Sequence, residues 1–507
     1  MTIEETYRKV KSLTRQLGFR DSLYVVWAYS QYLQVNDFEL PRDIDVGPQF
    51  LDAPYPRQVL GEWTLEQMAR EAIRYADEEP RQGRSLRQWA VLAEVANTLR
   101  DLEGQIYQQF VDGAQIQLEL MRVAHRQFVW QQFRYSWVPL IRYYKLFNRP
   151  AICALAQQTV GLTIDEIYLI GLAYLGMFSD HPRATLQVNV QIPGITQKHL
   201  DQFLAFTSLS RNGLSNKLRA EHALNEKFAY QYSSLWQFPL VQISHMGRDE
   251  VACPIPTLLF WRITTGLYYS LIGAQGFSDE FGASFEEHVG EILRKRITNA
   301  NMTVLEQAEY HVGLNRKDTV DWILQENNEA ALFFECKTKR LTWASKTGIS
   351  DLSALEKDMG KLAEAVVQAY KAINDYRAGL YPQIGFVEGR RIYPTVVTLE
   401  DWYLFGDQML GLLDECVRAL MTTANLPLEW LEDMPYSVVS VHELGKVAGV
   451  VNAAGITPFI SAKGIDPEFR LSAFGAYCNI RYANEVRDLA PLFRDEFDAM
   501  FANIPRT

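Results

Sequence analysis

The sequence has few cysteines, and they are not arranged as a disulfide scaffold or a zinc site. Five cysteines are spread over 507 residues, at positions 153, 253, 336, 416 and 478. The absence of any CxxC pair excludes a zinc ribbon and a thioredoxin-like motif. An odd and dispersed set of cysteines indicates reduced thiols, as in a cytosolic protein.

Long apolar runs are also missing. The longest run, Ile167 to Phe178, has twelve residues, whereas a membrane-spanning helix needs about 20. The first residues, MTIEETYRKVKSL, are polar and contain no apolar signal core. We therefore expect a cytoplasmic protein without a membrane partner.

Positive charge is not in excess, because 50 Lys and Arg residues face 61 Asp and Glu residues, for a net charge of −11. This balance excludes a protein that coats nucleic acid through bulk positive charge. Phosphate-loop, dinucleotide-binding, HExxH and GxSxG motifs are absent as well. Lysine is nevertheless concentrated locally: eight of the sixteen lysines lie between residues 295 and 371. Phosphate chemistry is expected in that segment.

The length predicts two to four domains, at roughly 150 residues each, and the pattern changes along the chain. Residues 1–150 are predicted to be a helical N-terminal region, and residues 151–280 a mostly helical accessory or connecting region. Residues 281–400 read as helix, strand, strand, helix and strand, which is typical of a compact α/β unit. Residues 401–507 complete or flank that unit. The fold class is therefore α+β or α/β, with a largely helical N-terminal region.

Hydrophobic spacing predicts the elements of the third segment. An amphipathic helix is predicted over 284–297, and strands over 312–339. A long helix follows over 352–376, where apolar residues recur at intervals of three and four. A β-rich run occupies 392–399.

The chemistry of the chain is concentrated where a predicted buried strand ends. Four apolar residues, 331–334, run into Glu335, and Lys337 follows two positions later. Since residues i and i+2 of a strand share a face, Glu335 and Lys337 point the same way. A second strand is predicted over 319–324, and the polar run 326–329 suits a tight hairpin turn.

The register of this hairpin depends on the length of its turn. A two-residue turn sets Asp321 opposite Phe334, whereas a three-residue turn sets Asp321 opposite Glu335. In both registers two carboxylates and an ammonium group converge. An ion pair at a strand end, with no catalytic role, remains the alternative interpretation.

Such a cluster suits a divalent metal ion. Mg²⁺ prefers hard oxygen ligands and usually keeps several waters. Asp321, Glu335 and the backbone carbonyl of Cys336 could supply three ligands to Mg²⁺ or Mn²⁺. Lys337 could then orient or deprotonate a bound water, or neutralise the charge of a phosphate.

A third carboxylate comes from the preceding predicted helix. Its apolar stripe consists of Phe285, Val289, Ile292 and Leu293, and Glu286 lies ~50° from the centre of that stripe. Glu286 could therefore reach the edge of the metal site. A plain boundary position between core and solvent is the alternative.

In this order and spacing, the residues resemble the PD-(D/E)XK nuclease superfamily, which has the restriction-endonuclease-like fold. More narrowly, they are similar to its Holliday-junction-resolvase and Mrr-like branches. The resemblance covers roughly residues 281–400 and implies a mixed sheet flanked by helices, Mg²⁺-dependent hydrolysis and a nucleic-acid substrate. By position, Glu286 matches the acid of the helix, Asp321 and Glu335 the two metal ligands, and Lys337 the catalytic lysine.

The resemblance is incomplete at two positions. Val320 stands where the proline that gives the superfamily its name would be. Gln368 matches a glutamine often found on the following helix, yet it falls ~140° from the apolar stripe of that helix.

Lys339 and Arg340 follow the strand and could contact backbone phosphates of the substrate. A solvated strand exit is the alternative for these two residues.

The sequence thus predicts a metal-dependent nuclease that hydrolyses phosphodiester bonds in DNA, in the manner of a bacterial defence effector. The acidic balance suggests an enzyme held idle until a homo-oligomer or an activating partner engages the N-terminal region. Two alternatives stay open. One is a non-catalytic nucleic-acid-binding or assembly protein with an inactive nuclease fold, and the other is an RNA-cleaving effector with the same site.

Overall fold

The computed structural model describes residues 1–78, 83–112, 116–132, 136–185, 194–245, 248–349, 352–404 and 406–501. The chain forms two compact units. Unit 1 consists of Met1–Gln115, Val123–Phe277 and Asp495–Thr507, and unit 2 of Ile116–Arg122 and Ser278–Arg494.

Unit 1 is built mainly from helices, and several begin at residues whose side chains cap the first turn. The Thr2 and Thr163 hydroxyls each accept a backbone N–H, and a glutamate three residues later bonds back. The helices are α1 (Ile3–Thr14), α2 (Phe19–Gln34), α3 (Pro48–Leu51), α4 (Pro56–Val59), α5 (Glu62–Tyr75), α6 (Trp89–Phe110), α7 (Ile116–Gln132, which begins in unit 2), α8 (Trp137–Phe147), α9 (Pro150–Thr159), α10 (Ile164–Asp180), α11 (Gln197–Thr207), α12 (Arg211–Ala220), α13 (Ser234–Gln237), α14 (Pro256–Ile263) and α15 (Thr265–Leu271).

Unit 1 also contains a four-stranded sheet. Its strands are β1 (Arg183–Thr185), β2 (Ser208–Ser210), β3 (Leu240–His245) and β4 (Arg248–Ala252), in the order β1-β4-β3-β2. β3 pairs with β4 antiparallel and with β2 parallel. The sequence predicted that residues 151–280 are mostly helical, with a mixed segment over 238–277 and a strand-like piece over 187–193. The mixed segment contains β3 and β4, whereas 187–193 lies outside the described residues. β1 and β2 have three residues each, which is too short to show an alternating pattern.

Unit 2 combines helices with two sheets. The strands are β5 (Met302–Glu306), β6 (Glu309–Val312), β7 (Asn315–Asp318), β8 (Trp322–Glu326), β9 (Ala330–Lys337), β10 (Arg391–Thr398) and β11 (Ser437–Ser440). The helices are α16 (Phe277–Arg296), α17 (Trp343–Thr347), α18 (Ser353–Arg377), α19 (Asp407–Thr423), α20 (Trp430–Asp433), α21 (Val441–Ala454), α22 (Ile456–Ile465), α23 (Pro467–Arg470), α24 (Phe474–Arg481), α25 (Ala483–Arg487) and α26 (Arg494–Phe501, which belongs to unit 1 from Asp495 onward).

The main sheet of unit 2 is mixed, with the order β11-β10-β9-β8-β5. β5, β8 and β9 pair antiparallel, whereas β9, β10 and β11 pair parallel. β9 is central and buried along its whole length up to Lys337. This burial agrees with its run of apolar residues, since inner strands that are covered on both faces do not alternate.

The core of unit 2 lies between this sheet and α18. The apolar stripe of α18 includes Met359, Val366 and Ile373, which are fully buried, and it belongs to one cluster with Phe333 of β9 and Val396 of β10. About 60% of the chain is helical, and the fold is α+β with a helical N-terminal region, as the sequence predicted.

Among the described residues, no single helix combines the length and the apolar character needed to cross a membrane. Two sharply bent pairs reach that length and composition only together, namely Pro150–Thr159 with Ile164–Asp180 and Val441–Ala454 with Ile456–Gly464.

Candidate active site

Asp321 lies directly before β8, and the hairpin register brings it to β9. β8 and β9 are joined by three residues, and Trp322 pairs with Phe334. The same register sets Asp321 opposite Glu335, which is the three-residue alternative considered from the sequence. Asn327 adopts a positive φ of 44° in this loop, a conformation that asparagine tolerates better than most residues.

The Asp321 carboxylate accepts a hydrogen bond from the backbone of β9. Its Oδ2 accepts a hydrogen bond of 2.6 Å from the backbone N–H of Cys336. This bond fixes the carboxylate at the end of β9. Because the N–H and C=O of one strand residue point to the same side, the Cys336 carbonyl faces this carboxylate.

Glu335 and Lys337 share one face of β9 and form an ion pair. The Lys337 Nζ donates to Glu335 Oε1 over 2.6 Å. Glu335 is only 2% exposed, whereas the Lys337 side chain is 34% exposed. The ammonium group therefore lies on the solvent side of the buried carboxylate, where an entering phosphate could reach it.

Glu286 is positioned by the contact between α16 and β8. The Trp322 indole donates a hydrogen bond of 2.8 Å to the Glu286 carbonyl. The ring lies so close to Gly290 that a Cβ there would overlap it. The Arg294 guanidinium covers the ring at 4.6 Å from its centroid. Trp322 thus fixes the helix turn that carries Glu286 next to the strand that follows Asp321.

Burial and mutual repulsion shift the titration of the three carboxyl groups. Burial, together with the Asp321 charge, raises the pKa of Glu335 to about 7, although Lys337 opposes the shift. Burial raises the pKa of Asp321, against the stabilising hydrogen bond from Cys336. Burial and the Asp321 charge also raise the pKa of Glu286, which Lys337 in turn lowers. The three acids are therefore close enough to repel one another.

Among the residues that the structure describes, Lys337 supplies the positive charge that acts on these three acids. Burial alone would lower its pKa, but the Glu335 and Asp321 carboxylates outweigh burial and raise the pKa of Lys337 above its usual value. Lys337 is therefore charged at neutral pH. One positive charge among three carboxyl groups leaves an excess of anionic groups that a divalent cation would compensate.

The donor atoms fit a hard cation such as Mg²⁺. Among the described residues, no three or more His, Cys, Asp or Glu side chains form a ready metal site. An ion here would take the Asp321 and Glu335 carboxylates and the Cys336 carbonyl, and water would fill the remaining positions, as Mg²⁺ prefers. Burial raises the pKa of the Cys336 thiol well above its usual value. Its sulfur therefore stays protonated and is a poor ligand.

Lys339 and Arg340, predicted to contact phosphates, are engaged in ion pairs beyond the end of β9. Lys339 Nζ lies 3.0 Å from Asp358 Oδ1, and Arg340 lies 3.1 Å from Glu400 Oε1. Arg340 is only 7% exposed, so its guanidinium group is occupied inside unit 2 by the ion pair with Glu400. Lys339 is more exposed, and its pairing with Asp358 leaves it at the surface.

Gln368 lies on α18, on the side that faces away from the core. Its side chain is exposed, as are those of Lys361, Glu364 and Lys371. The structure thus brings together Glu286, Asp321, Glu335, the Cys336 backbone and Lys337, and it does not bring Gln368 into contact with them. The proposed substrate contact of Gln368 stays a prediction.

Sequence reasoning missed the residues that position the site. Gly290 and Trp322 carry no chemistry of their own, yet they fix α16 against β8. A glycine inside an otherwise helical pattern was the available signal, since it often marks a close approach by another element.

No family model, curated protein or solved structure matches the chain. The likeness to the PD-(D/E)XK superfamily therefore depends on the motif residues alone.

Proposed function

We propose that the chain is a metal-dependent nuclease that hydrolyses phosphodiester bonds in DNA. The observation that carries the proposal is the convergence of Asp321, Glu335 and Lys337 at the end of β9. Asp321 is bonded to the backbone beside Glu335, and Lys337 is paired with Glu335. Two carboxyl groups, a backbone carbonyl and one partly exposed ammonium group lie together here. This set suits phosphodiester hydrolysis better than a plain surface ion pair does.

Each side chain has a defined task in this proposal. Asp321 and Glu335 would hold the cation, and Glu286 would lie at its edge, where its carboxyl group could bind a water molecule. A bound Mg²⁺ or Mn²⁺ would lower the pKa of a water ligand and stabilise charge on the phosphate. Lys337, which is charged at neutral pH, orients the attacking water and neutralises a non-bridging phosphate oxygen. Its charge disfavours the alternative role of a general base.

The reaction consumes only water. A water oxygen bonds to phosphorus, and the bond from phosphorus to the leaving sugar oxygen breaks. One proton of the water ends on that leaving oxygen, so the products are a phosphate monoester and a hydroxyl group.

The test is cleavage of supercoiled, linear and single-stranded DNA, and of RNA, by the full chain with Mg²⁺ or Mn²⁺. Asp321→Asn and Lys337→Met are each expected to lower the rate at least about 100-fold. Lys361→Met is the matched control, because Lys361 is an exposed lysine of the same unit that pairs with Glu364. Cleavage of RNA alone would favour the RNA-cleaving effector. Cleavage unchanged in both site variants would refute the assignment of the site.

We further propose a cytoplasmic defence role in which cleavage by unit 2 stays low until a homo-oligomer or an activating partner engages unit 1. If a homo-oligomer is the active form, cleavage per molecule rises with protein concentration in parallel with the mass seen by sedimentation. A constant specific activity across the monomer–oligomer transition would contradict the homo-oligomer and leave the external partner as the proposed activator.

A further inference from the structure

A cavity of about 910 Å³ in unit 2 lies at the other end of the strands that carry the candidate active site. Arg391 begins β10 and pairs with Ala330, the first residue of β9, whereas Glu335 is five residues further along. At about 3.3 Å per residue, the two ends are separated by roughly 17 Å. The cavity is therefore distinct from the Asp321–Glu335–Lys337 cluster, and its volume is within the usual range for small-molecule sites.

Four arginines and three acidic residues line this cavity. Arg377, Arg391 and Arg470 line it and are exposed. In the part of the chain that the structure describes, none of the three forms an ion pair with a carboxylate. Three exposed guanidinium groups around one concave surface provide forked donors suited to phosphate oxygens.

The fourth arginine of the cavity, Arg390, is buried and links three chain segments through hydrogen bonds. It is 7% exposed. It donates to the Asn328 side chain at 2.7 Å and to the Tyr376 hydroxyl and the Gly385 carbonyl at 3.2 Å each. These bonds join the β8–β9 turn, the end of α18 and the loop before β10. The chain segments next to Arg377 and Arg391 are thus held together, which lowers the entropic cost of binding.

An aromatic side chain is exposed at the same cavity. Phe386 lines it, is 50% exposed, and packs against Tyr376 with ring centroids 5.8 Å apart. An exposed, supported ring next to guanidinium groups offers a stacking surface for a planar base. Glu388, Glu432 and Asp433 also line the cavity, and carboxylates of this kind accept hydrogen bonds from ribose hydroxyls.

We propose that this cavity binds a free nucleotide that carries at least two phosphate groups. Arg377, Arg391 and Arg470 contact the phosphates, and Phe386 stacks on the base. The cavity shares no residue with the Asp321–Glu335–Lys337 cluster, so each of the two sites can be tested independently of the other.

The test is isothermal titration calorimetry on the full chain with ATP, pyrophosphate and adenosine, in buffer with EDTA so that metal ions do not contribute. ATP is expected to bind most tightly, pyrophosphate more weakly and adenosine weakest. The triple variant Arg377→Ala, Arg391→Ala, Arg470→Ala is expected to bind ATP at least about 10-fold more weakly. Phe386→Ala is expected to weaken ATP while leaving pyrophosphate unchanged.

Arg481→Ala is the matched control, because Arg481 is an exposed arginine of the same unit outside the cavity. It is expected to bind ATP like the wild type. Should the triple variant lose its fold, seen as a lost thermal transition, the three single variants replace it, each with an expected weakening of a few-fold.

Three results would overturn the proposal. The first is no heat of binding with ATP at millimolar concentration, and the second is equal ATP affinity in the wild type and the arginine variants. The third is equal affinity for ATP and pyrophosphate with no effect of Phe386→Ala. If a 5′-phosphorylated oligonucleotide bound the cavity more tightly than ATP, the ligand would be the end of a nucleic-acid strand and not a free nucleotide.

Discussion

Glu335 is a buried carboxyl group whose pKa is shifted by its surroundings. Its carboxyl group is 2% exposed and lies beside Asp321, and burial with that neighbouring charge raises the pKa of Glu335 to about 7. Two neighbouring buried carboxyl groups cost free energy, which the Lys337 ammonium offsets only in part. The crowding is understandable if a cation occupies the site during catalysis.

Asp321→Asn separates function from stability. Asparagine can still accept the hydrogen bond from Cys336, but it removes one negative charge beside Glu335. We expect cleavage to be lost, whereas the thermal midpoint in EDTA stays equal or rises because a buried repulsion disappears. Differential scanning fluorimetry and the cleavage assay measure the two effects. A midpoint several degrees lower would mean that the Asp321 charge is structural.

His222 in unit 1 makes the fold sensitive to acid. Burial and the neighbouring Arg74, Lys11 and Arg70 charges lower the pKa of His222 to about 3, and its ring stacks on Tyr7 at 4.4 Å. The unfolded value is about 6.5, so the unfolded chain binds the proton first. Stability is therefore lost as the pH falls from about 6.5 toward about 3.

His222→Gln tests this linkage by chemical denaturation at several pH values. The advantage of the wild type over His222→Gln in free energy of unfolding is expected to shrink below pH ~6.5. The limit is about 1.4 kcal/mol per pH unit, and the effect is smaller because the ring is partly exposed to water. Parallel pH profiles for the two proteins would show that His222 titrates normally in the folded state.

At the scale of elements, the contact between α16 and β8 determines the distance between Glu286 and Asp321. Gly290→Ala would place a methyl group in the Trp322 ring. We expect a loss of about 1–3 kcal/mol in stability, and a further loss of cleavage because the ring is next to Asp321. Denaturant unfolding and initial cleavage rates measure the two losses.

Gly282→Ala is the control within the same helix, since no atom lies within 4 Å of a Cβ there. It removes a glycine from a helix interior and is expected to raise stability by about 0.5–1 kcal/mol with unchanged cleavage. If both glycine variants behaved alike, the Trp322 contact would have no role in positioning the site.

The elements of unit 2 were largely predictable, because strong periodicity and burial agree there. The stripe of α18 and the apolar run of β9 each have one stable arrangement. Helix α16 begins at Phe277 rather than Ser284 because Phe277 and Phe281 continue its stripe. The β8–β9 register was not decidable, because turns of two and three residues both fit the polar run.

The remaining site contacts depend on tertiary structure that short patterns do not encode. The pairing of Arg340 with Glu400 joins residues 60 positions apart. The arginine cavity likewise combines the end of α18, the start of β10 and the region around α20 to α23. Neither arrangement has a local sequence signal. β1 and β2 of unit 1 were missed for a different reason. Each has three residues, which is too few to show an alternating pattern.

At the scale of the whole molecule, a net charge of −11 opposes unselective attraction to nucleic acid. Cations that could meet phosphate are local instead, at Lys337 and in the arginine cavity of unit 2. This distribution agrees with the proposal that cleavage stays low until a partner engages the chain.

The most direct test of the central claim is a Mn²⁺ titration of the full chain, followed by electron paramagnetic resonance. Asp321 and Glu335 are predicted to hold one ion, so Asp321→Asn and Glu335→Gln should each weaken binding at least about 10-fold. Lys361→Met should bind Mn²⁺ like the wild type. Unchanged Mn²⁺ affinity in both carboxylate variants, or no bound ion in the wild type at millimolar Mn²⁺, would contradict a metal-dependent active site at the end of β9.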